Sequence, residues 1–219
     1  MDATSHRDQR APELWQALGQ QLAEPHGIMG RGLAHIMDYA NAKPIAATLS
    51  LVEAWRPRDI LEVGFGSGRS VQALLKRMPA CRISGVDRSA DMVTAAALRN
   101  NGEITKGRVE LVHGSADLLP WKEESFDGVV AINVAYFFGA AGREMKEMYR
   151  VLRSGGRIAL YVTSKDAMKQ WPFASERTHR TYDGDGLLEL LFCAGLKDAT
   201  VLHINLPFGI EGLIGTATK

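Results

Sequence analysis

Residues Ile60-Leu61-Glu62-Val63-Gly64-Phe65-Gly66-Ser67-Gly68 read as a buried strand that runs into a glycine-rich turn and on into a helix. A chain that places bare backbone between a strand and a helix can bring that backbone against a nucleotide-like ligand, where side chains would collide. The spacing of the glycines says more than their number. They stand at 64, 66 and 68, and Arg69 occupies the place where a G-x-G-x-x-G dinucleotide fingerprint needs its third glycine. Glu62, just ahead of the first glycine, is also out of place in a site that accepts a pyrophosphate. The turn therefore points to a cofactor without phosphates.

From Arg58 onward strand and helix signals alternate, which predicts an α/β fold: a mostly parallel, doubly wound sheet with helices on both faces. The expected strands are Asp59–Val63, Arg82–Val86 closing on Asp87, Val109–His113, Asp127–Asn133 and Arg157–Val162. Val71, Leu74, Leu75 and Met78 recur at helical spacing before Pro79, and Met145, Met148, Tyr149 and Leu152 do so before the turn Arg153-Ser154-Gly155-Gly156. Ser89 reads as the N-cap of a helix that stops near Asn100-Asn101-Gly102. The stretch Thr163–Asp185, with Trp171-Pro172-Phe173, is irregular and a candidate substrate wall. A helix Gly186–Ala194 and two strands, Ala199–Leu206 and Gly212–Thr218, complete the chain; the short Pro207-Phe208-Gly209 link suits an antiparallel hairpin.

Ahead of the sheet, Leu14, Trp15, Leu18 and Leu22 suggest one helix, and Ile45, Leu49 and Val52 another that Pro44 starts. Residues 1–57 are expected to form an N-terminal helical lid over the cofactor, and residues 58–219 the cofactor-binding domain.

A chain of 219 residues suffices for one α/β domain with a short decoration. Its formal charge of +1, with no basic run, argues against a nucleic-acid partner, since phosphate binding relies on clustered Lys and Arg. Cys81 and Cys193 lie in apolar surroundings and point to a reducing compartment, not a disulfide framework. No apolar run approaches a membrane span and residues 1–7 have no apolar core, so a cytoplasmic location is expected. No metal is expected, and the oligomeric state stays open.

Several motifs, in order, resemble the class I S-adenosylmethionine (SAM)-dependent methyltransferases of the small-molecule type, over nearly the whole length from about Pro25. They are Glu62-Val63-Gly64-Phe65-Gly66-Ser67-Gly68; Asp87, 19 residues after Gly68; Gly114-Ser115-Ala116-Asp117-Leu118-Leu119-Pro120-Trp121 followed by Ser125-Phe126-Asp127; and Leu152-Arg153-Ser154-Gly155-Gly156-Arg157. The resemblance implies a seven-stranded Rossmann-like sheet ending in the antiparallel hairpin, with SAM as cofactor and a small-molecule methyl acceptor as partner. It assigns the backbone of Gly64, Phe65, Gly66 and Gly68 to the methionine part of SAM and Glu62 to its amino group. Asp87, with Arg88 beside it, falls to the ribose, where a carboxylate can take one hydroxyl per oxygen. Asp117, flanked by Ala116 and Leu118, falls to the adenine amine, and Asn133 faces the methionine moiety.

Methyl transfer from a sulfonium is an in-line displacement with an activated leaving group, so alignment supplies much of the rate and a base is needed only for an acceptor that must lose a proton. By location, the candidates for such a base are His26, Tyr39, Tyr136 and His179. Tyr136, Phe137, Trp171 and Phe173 are candidate substrate-wall residues, with core packing as the competing reading. His113 and His203, on strands, read as structural. Two cysteines are too few for arsenic methylation. Asn133-Val134-Ala135-Tyr136 lacks the Asn-Pro-Pro-Tyr pattern expected for the amine of a flipped base. Three rivals to methyl transfer remain: a SAM-binding regulatory protein, a SAM-assisted rearrangement or cyclisation, and an NAD-dependent oxidoreductase.

Overall fold

The structure, a computed structural model, describes residues 39, 41–171 and 179–219, with Phe208 as backbone only. The first described element is helix α1 (Ala42–Ala54). There follow β1 (Asp59–Val63), α2 (Arg69–Arg77), β2 (Arg82–Asp87), α3 (Ala90–Arg99), α4 (Asn101–Thr105), β3 (Val109–His113), β4 (Phe126–Ile132) and a 3₁₀ turn at Ala135–Phe137. The second half holds α5 (Arg143–Val151), β5 (Leu152–Thr163), α6 (Lys165–Met168), α7 (Gly184–Cys193), β6 (Lys197–Asn205), a 3₁₀ turn at Pro207–Gly209 and β7 (Glu211–Thr218).

Among the described residues these strands form one seven-stranded sheet in the order β3-β2-β1-β4-β5-β7-β6. The first five run parallel, and β7 pairs antiparallel with both β5 and β6. Chain order reverses between β1 and β4. The crevice beyond the carboxyl ends of those strands is where open α/β sheets bind ligands.

Strand periodicity divides the core into two layers. Leu61, Val63, Val129, Ala131, Ile158 and Leu160 face α5 and α7, meeting Met145, Met148, Leu187 and Leu191. Ile60, Val130, Ile132, Ala159 and Tyr161 face the other way, against Leu49 and Val52 of α1 and Val71 and Leu74 of α2. Strands β1 and β4 are buried on both faces, which accounts for their unbroken apolar runs.

Several boundaries differ from the expected ones, each for a local reason. Strand β4 ends at Ile132, one residue early, because Asn133 turns into the left-handed region at φ +59. The expected turn at Arg153–Gly156 lies inside β5. The strand pairs through Leu152↔Phe126, shifts register, and resumes at Arg157↔Gly128. Gly155, at φ +77, takes up the irregularity and donates its N–H to the Lys219 carbonyl at 3.1 Å. Leu152 is accordingly the first residue of β5 and not the last of α5.

Helix α3 does stop at Arg99, yet the chain makes a further short helix, α4, instead of leaving as a loop. Asn100 makes this possible: its Nδ2 donates to the carbonyls of Ala96 (2.9 Å) and Gly68 (3.2 Å). Asp183 caps α7 through the Gly186 N–H, so that helix begins two residues before its expected start. The segment after β5 is less irregular than expected, for Ser164 caps the short α6. Helix α1, in the stretch expected to form a lid, packs as a layer of the core: Leu49 and Val52 are fully buried against the sheet. The helix expected around Leu14–Leu22 lies outside the described residues.

Among the described residues no helix is long and apolar enough to cross a membrane, and no three His, Cys, Asp or Glu side chains gather as metal ligands would.

Candidate functional site

The glycine turn takes the form that its spacing requires. Gly64, Gly66 and Gly68 all have positive φ, at +70, +53 and +77. A Cβ on Gly64 would stand 2.3 Å from a Val134 methyl, and one on Gly68 would stand 2.9 Å from the Ala96 Cα. These two glycines let the turn pack against the loop after β4 and against α3. Gly66 differs, because a Cβ there would meet no described residue within 4 Å. Among the described residues nothing covers it, and its backbone is the part of the turn that a ligand can approach. The Phe65 ring is buried beneath Gly85 in the α1/α2 layer, leaving only its backbone for a ligand.

Glu62 shares the face of β1 that carries Ile60, so it points into the layer that holds Ser70 of α2. It is 1% exposed, and its Oε2 has no hydrogen-bond partner among the described residues. Burial pushes its pKa up to about 7, against the lowering effect of a Ser70 hydrogen bond, and the nearby Asp87 charge pushes the same way. A buried carboxylate oxygen without a donor is costly unless a ligand supplies one. Ser70 is a contributor that sequence reasoning missed; its place two residues past Gly68, on the buried face of α2, is the signal that could have found it.

Across the turn, Asp87 ends β2. Its Oδ2 accepts from the Gly66 N–H at 2.8 Å and its Oδ1 from the Ser89 N–H at 2.9 Å. Each oxygen keeps one further lone pair. Burial raises the Asp87 pKa, while the Ser89 and Gly66 amides, Arg88 and His113 pull it down. His113, at the end of β3, bonds the Arg88 carbonyl through Nε2 at 3.0 Å, in keeping with the structural role expected of it. Beyond β3, Ala116 is half-buried, whereas Asp117 and Leu118 are exposed, Leu118 at 78%. These residues and the turn sit at one sheet edge, because β3 and β2 lie beside β1 in parallel register.

A second group stands at the carboxyl ends of β4 and β5. The Tyr136 hydroxyl donates to Asn133 Oδ1 at 2.7 Å and accepts the Thr163 N–H. Asn133 Nδ2 donates to Asn41 Oδ1 at 2.7 Å. Tyr136 is buried, and desolvation raises its pKa further above the ordinary tyrosine value, in spite of the Thr163 hydrogen bonds. Its proton is directed to Asn133 Oδ1, a hydrogen bond that the base expected at this position would have to give up.

The His179 ring lies 5.0 Å from that of Phe137 and 5.8 Å from that of Tyr136. Burial lowers its pKa, which favours the neutral imidazole. Phe137 is half-buried beside it, and Trp171 is half-buried against the α5/α7 layer. Tyr39 is 85% exposed. His26 and Phe173 lie outside the described residues. Asn41 and Thr163 went unnoticed in the sequence. The Thr163 N–H that meets Tyr136 belongs to the backbone, which no side-chain motif reveals, and Asn41 meets Asn133 across 92 positions of chain.

The arrangement suits a ligand that carries a cation near Glu62 and hydroxyls near Asp87. SAM has both, in its α-ammonium and its ribose, and lacks the phosphates that two buried carboxylates would repel. The chain is similar in sequence and fold to known proteins. A protein-family profile described as a methyltransferase domain matches residues 61–160. An uncharacterized methyltransferase of Bacillus subtilis, YdaC, is 31% identical over 120 residues, which are 55% of this chain and 64% of that protein. The chain spans less than two thirds of the length of the curated relatives that it matches. Among solved structures, a phosphoethanolamine N-methyltransferase of Haemonchus contortus, in complex with S-adenosylhomocysteine, superposes with a TM-score of 0.66 at 15% identity, over 80% of this chain and 52% of that one. The [4+2]-cyclase SpnF superposes with a TM-score of 0.62 at 19% identity, over 74% and 75%. At these identities the structures establish the fold alone. Through residues 61–160 the chain is similar to methyltransferase domains, and its sheet has the fold of the solved structures above.

Proposed function

We propose that the protein transfers a methyl group from SAM to an oxygen, nitrogen or carbon atom of a small molecule. The observation that carries this reading is the buried Glu62 carboxyl, whose Oε2 has no partner among the described residues, beside a glycine turn that none of them covers at Gly66. When bound, SAM supplies an electrophilic methyl group on a sulfonium. Glu62 would hold its ammonium group, and Asp87, with Arg88 adjacent, its ribose hydroxyls. Asp117, Ala116 and Leu118 would border its adenine, and Asn133 its methionine end, as would the backbone of Gly64, Phe65, Gly66 and Gly68.

The chain's own contribution is then alignment and exclusion of water. Phe137, with Trp171 further along the chain, supplies apolar surface for the acceptor. His179, neutral and flanked by aromatic rings, is the described candidate best suited to take a proton from an acidic acceptor. A formal charge of +1 without basic runs favours a small acceptor over nucleic acid. The free thiols of Cys81 and Cys193 fit a cytoplasmic setting.

Methyl-labelled SAM, incubated with the protein and a panel of phenols, amines, carboxylic acids and enolisable carbonyls, tests the reading. Transfer of label to one class, with S-adenosylhomocysteine formed in equal amount, is expected. SAM that binds yet never turns over across the panel would favour the regulatory alternative.

A further inference from the structure

The Asn133 group is ordered by a chain of hydrogen bonds whose direction only one donor can set. The Thr163 N–H, at the end of β5, can only donate, and it donates to the Tyr136 hydroxyl. That hydroxyl has one proton, which must go elsewhere, and it goes to Asn133 Oδ1 at 2.7 Å. The amide nitrogen of Asn133 then faces outward and donates to Asn41 Oδ1 at 2.7 Å. Asn41 immediately precedes α1, and its carbonyl accepts the Ile45 N–H of the first turn at 2.8 Å. Asn133 itself is held at φ +59, a conformation that non-glycine residues enter only when their surroundings fix them, and which clusters at functional sites. Tyr136 and Thr163 are buried, so the source of this polarity is shielded from water.

We propose that Tyr136 is a positioning residue: through its hydroxyl it sets which way the Asn133 amide faces at the carboxyl end of β4, and so fixes Asn41 and the start of α1 beside the cofactor site. The link to the cofactor rests on the function proposed above; the link to Asn41 does not.

Two readouts separate these links. In the protein without cofactor, hydrogen exchange at the Ile45 amide reports the first turn of α1. Calorimetric titration with S-adenosylhomocysteine reports the site. Tyr136→Phe should speed Ile45 exchange and weaken S-adenosylhomocysteine by about two- to tenfold, the range that one hydrogen bond carries. Asn133→Gly, which keeps the left-handed backbone, should do the same. In the double variant, Tyr136→Phe should then add less than about twofold, since its effect passes through Asn133. Asn41→Ala removes the last link and leaves Tyr136 and Asn133 in place. It should free Ile45 with Tyr136 intact, and it serves if Tyr136→Phe does not fold. Unchanged Ile45 exchange in the folded variants, or equal effects of Tyr136→Phe in both backgrounds, would overturn the positioning role. Faster Ile45 exchange in a wild-type background that binds no S-adenosylhomocysteine would keep the Asn41 link and overturn the proposed function.

Discussion

Glu62 carries the sharpest single-residue consequence. A carboxyl with an ordinary value of 4.5 that titrates at about 7 in the fold keeps its proton where the unfolded chain has lost it. Its contribution to stability is therefore full below about pH 4.5 and is lost as pH rises to about 7, a difference of roughly 3 kcal/mol at most. Glu62→Gln should raise the melting temperature of the cofactor-free protein at pH 8 and flatten its decline between pH 5 and 8, as thermal melts across that range would reveal. A residual slope in the same direction belongs to Asp87, whose pKa is also raised. Binding should follow the opposite course. A ligand ammonium group favours the ionised form, so S-adenosylhomocysteine should bind more tightly as pH passes through 7, and Glu62→Gln should lose that dependence. The placement of the acids at 62 and 87 beside the glycine turn was legible, because their position relative to the glycines is a local pattern. Their burial, and hence their titration, was not, since it depends on α2 folding over β1.

At the scale of elements, the three glycines of one turn answer to different demands and should respond differently to alanine. Gly66→Ala adds a Cβ into open space, so folding bears only the left-handed backbone, about 1 kcal/mol. S-adenosylhomocysteine affinity should fall more than tenfold all the same, since the Cβ occupies the ligand's approach. Gly64→Ala drives a Cβ into the Val134 side chain, so it should destabilise by about 3 kcal/mol in urea unfolding, with part of that recovered by Val134→Ala. Core elements were readable because their apolar spacing is decided within a few residues. Asn100-Asn101-Gly102 read as a stop, yet the Asn100 side chain caps the end of α3 and reaches the Gly68 carbonyl, and a new helix follows. Likewise Arg153-Ser154-Gly155-Gly156 has the composition of a turn, but the Lys219 backbone pairs with Gly155 and Gly156 and draws it into β5. In both places a partner far along the chain overrides a local signal.

Across the whole molecule, the parallel strands and the closing hairpin follow from element order and from a link too short for a crossover helix, which is why the sheet was legible. Contacts between distant segments were not. Arg153 is an example: it bonds Asp59 at 2.9 Å and Asp127 at 2.7 Å, tying β1, β4 and β5 together at their amino ends. Burial opposes ionisation of Asp127, yet the hydrogen bonds from Arg153 and from the Asp59 and Arg58 amides outweigh it and lower its pKa. A lowered carboxyl pKa contributes stability above the ordinary aspartate value, and that contribution disappears as pH falls through the folded one. Arg153→Ala should therefore lower the unfolding free energy by about 1 kcal/mol at neutral pH, with the gap closing in acid as denaturant titrations at both pH values would register.

The candidate site at the opposite, carboxyl edge draws on β1, β2, β3 and β4, and the proposal that SAM binds there is the central claim. Calorimetric titration of the purified protein with S-adenosylhomocysteine, beside Asp87→Ala, tests it most directly. The account predicts one micromolar site per chain, weakened several-fold or more in Asp87→Ala at little change in melting temperature. A folded protein that takes up no S-adenosylhomocysteine, or binds it equally well with alanine at position 87, would contradict it.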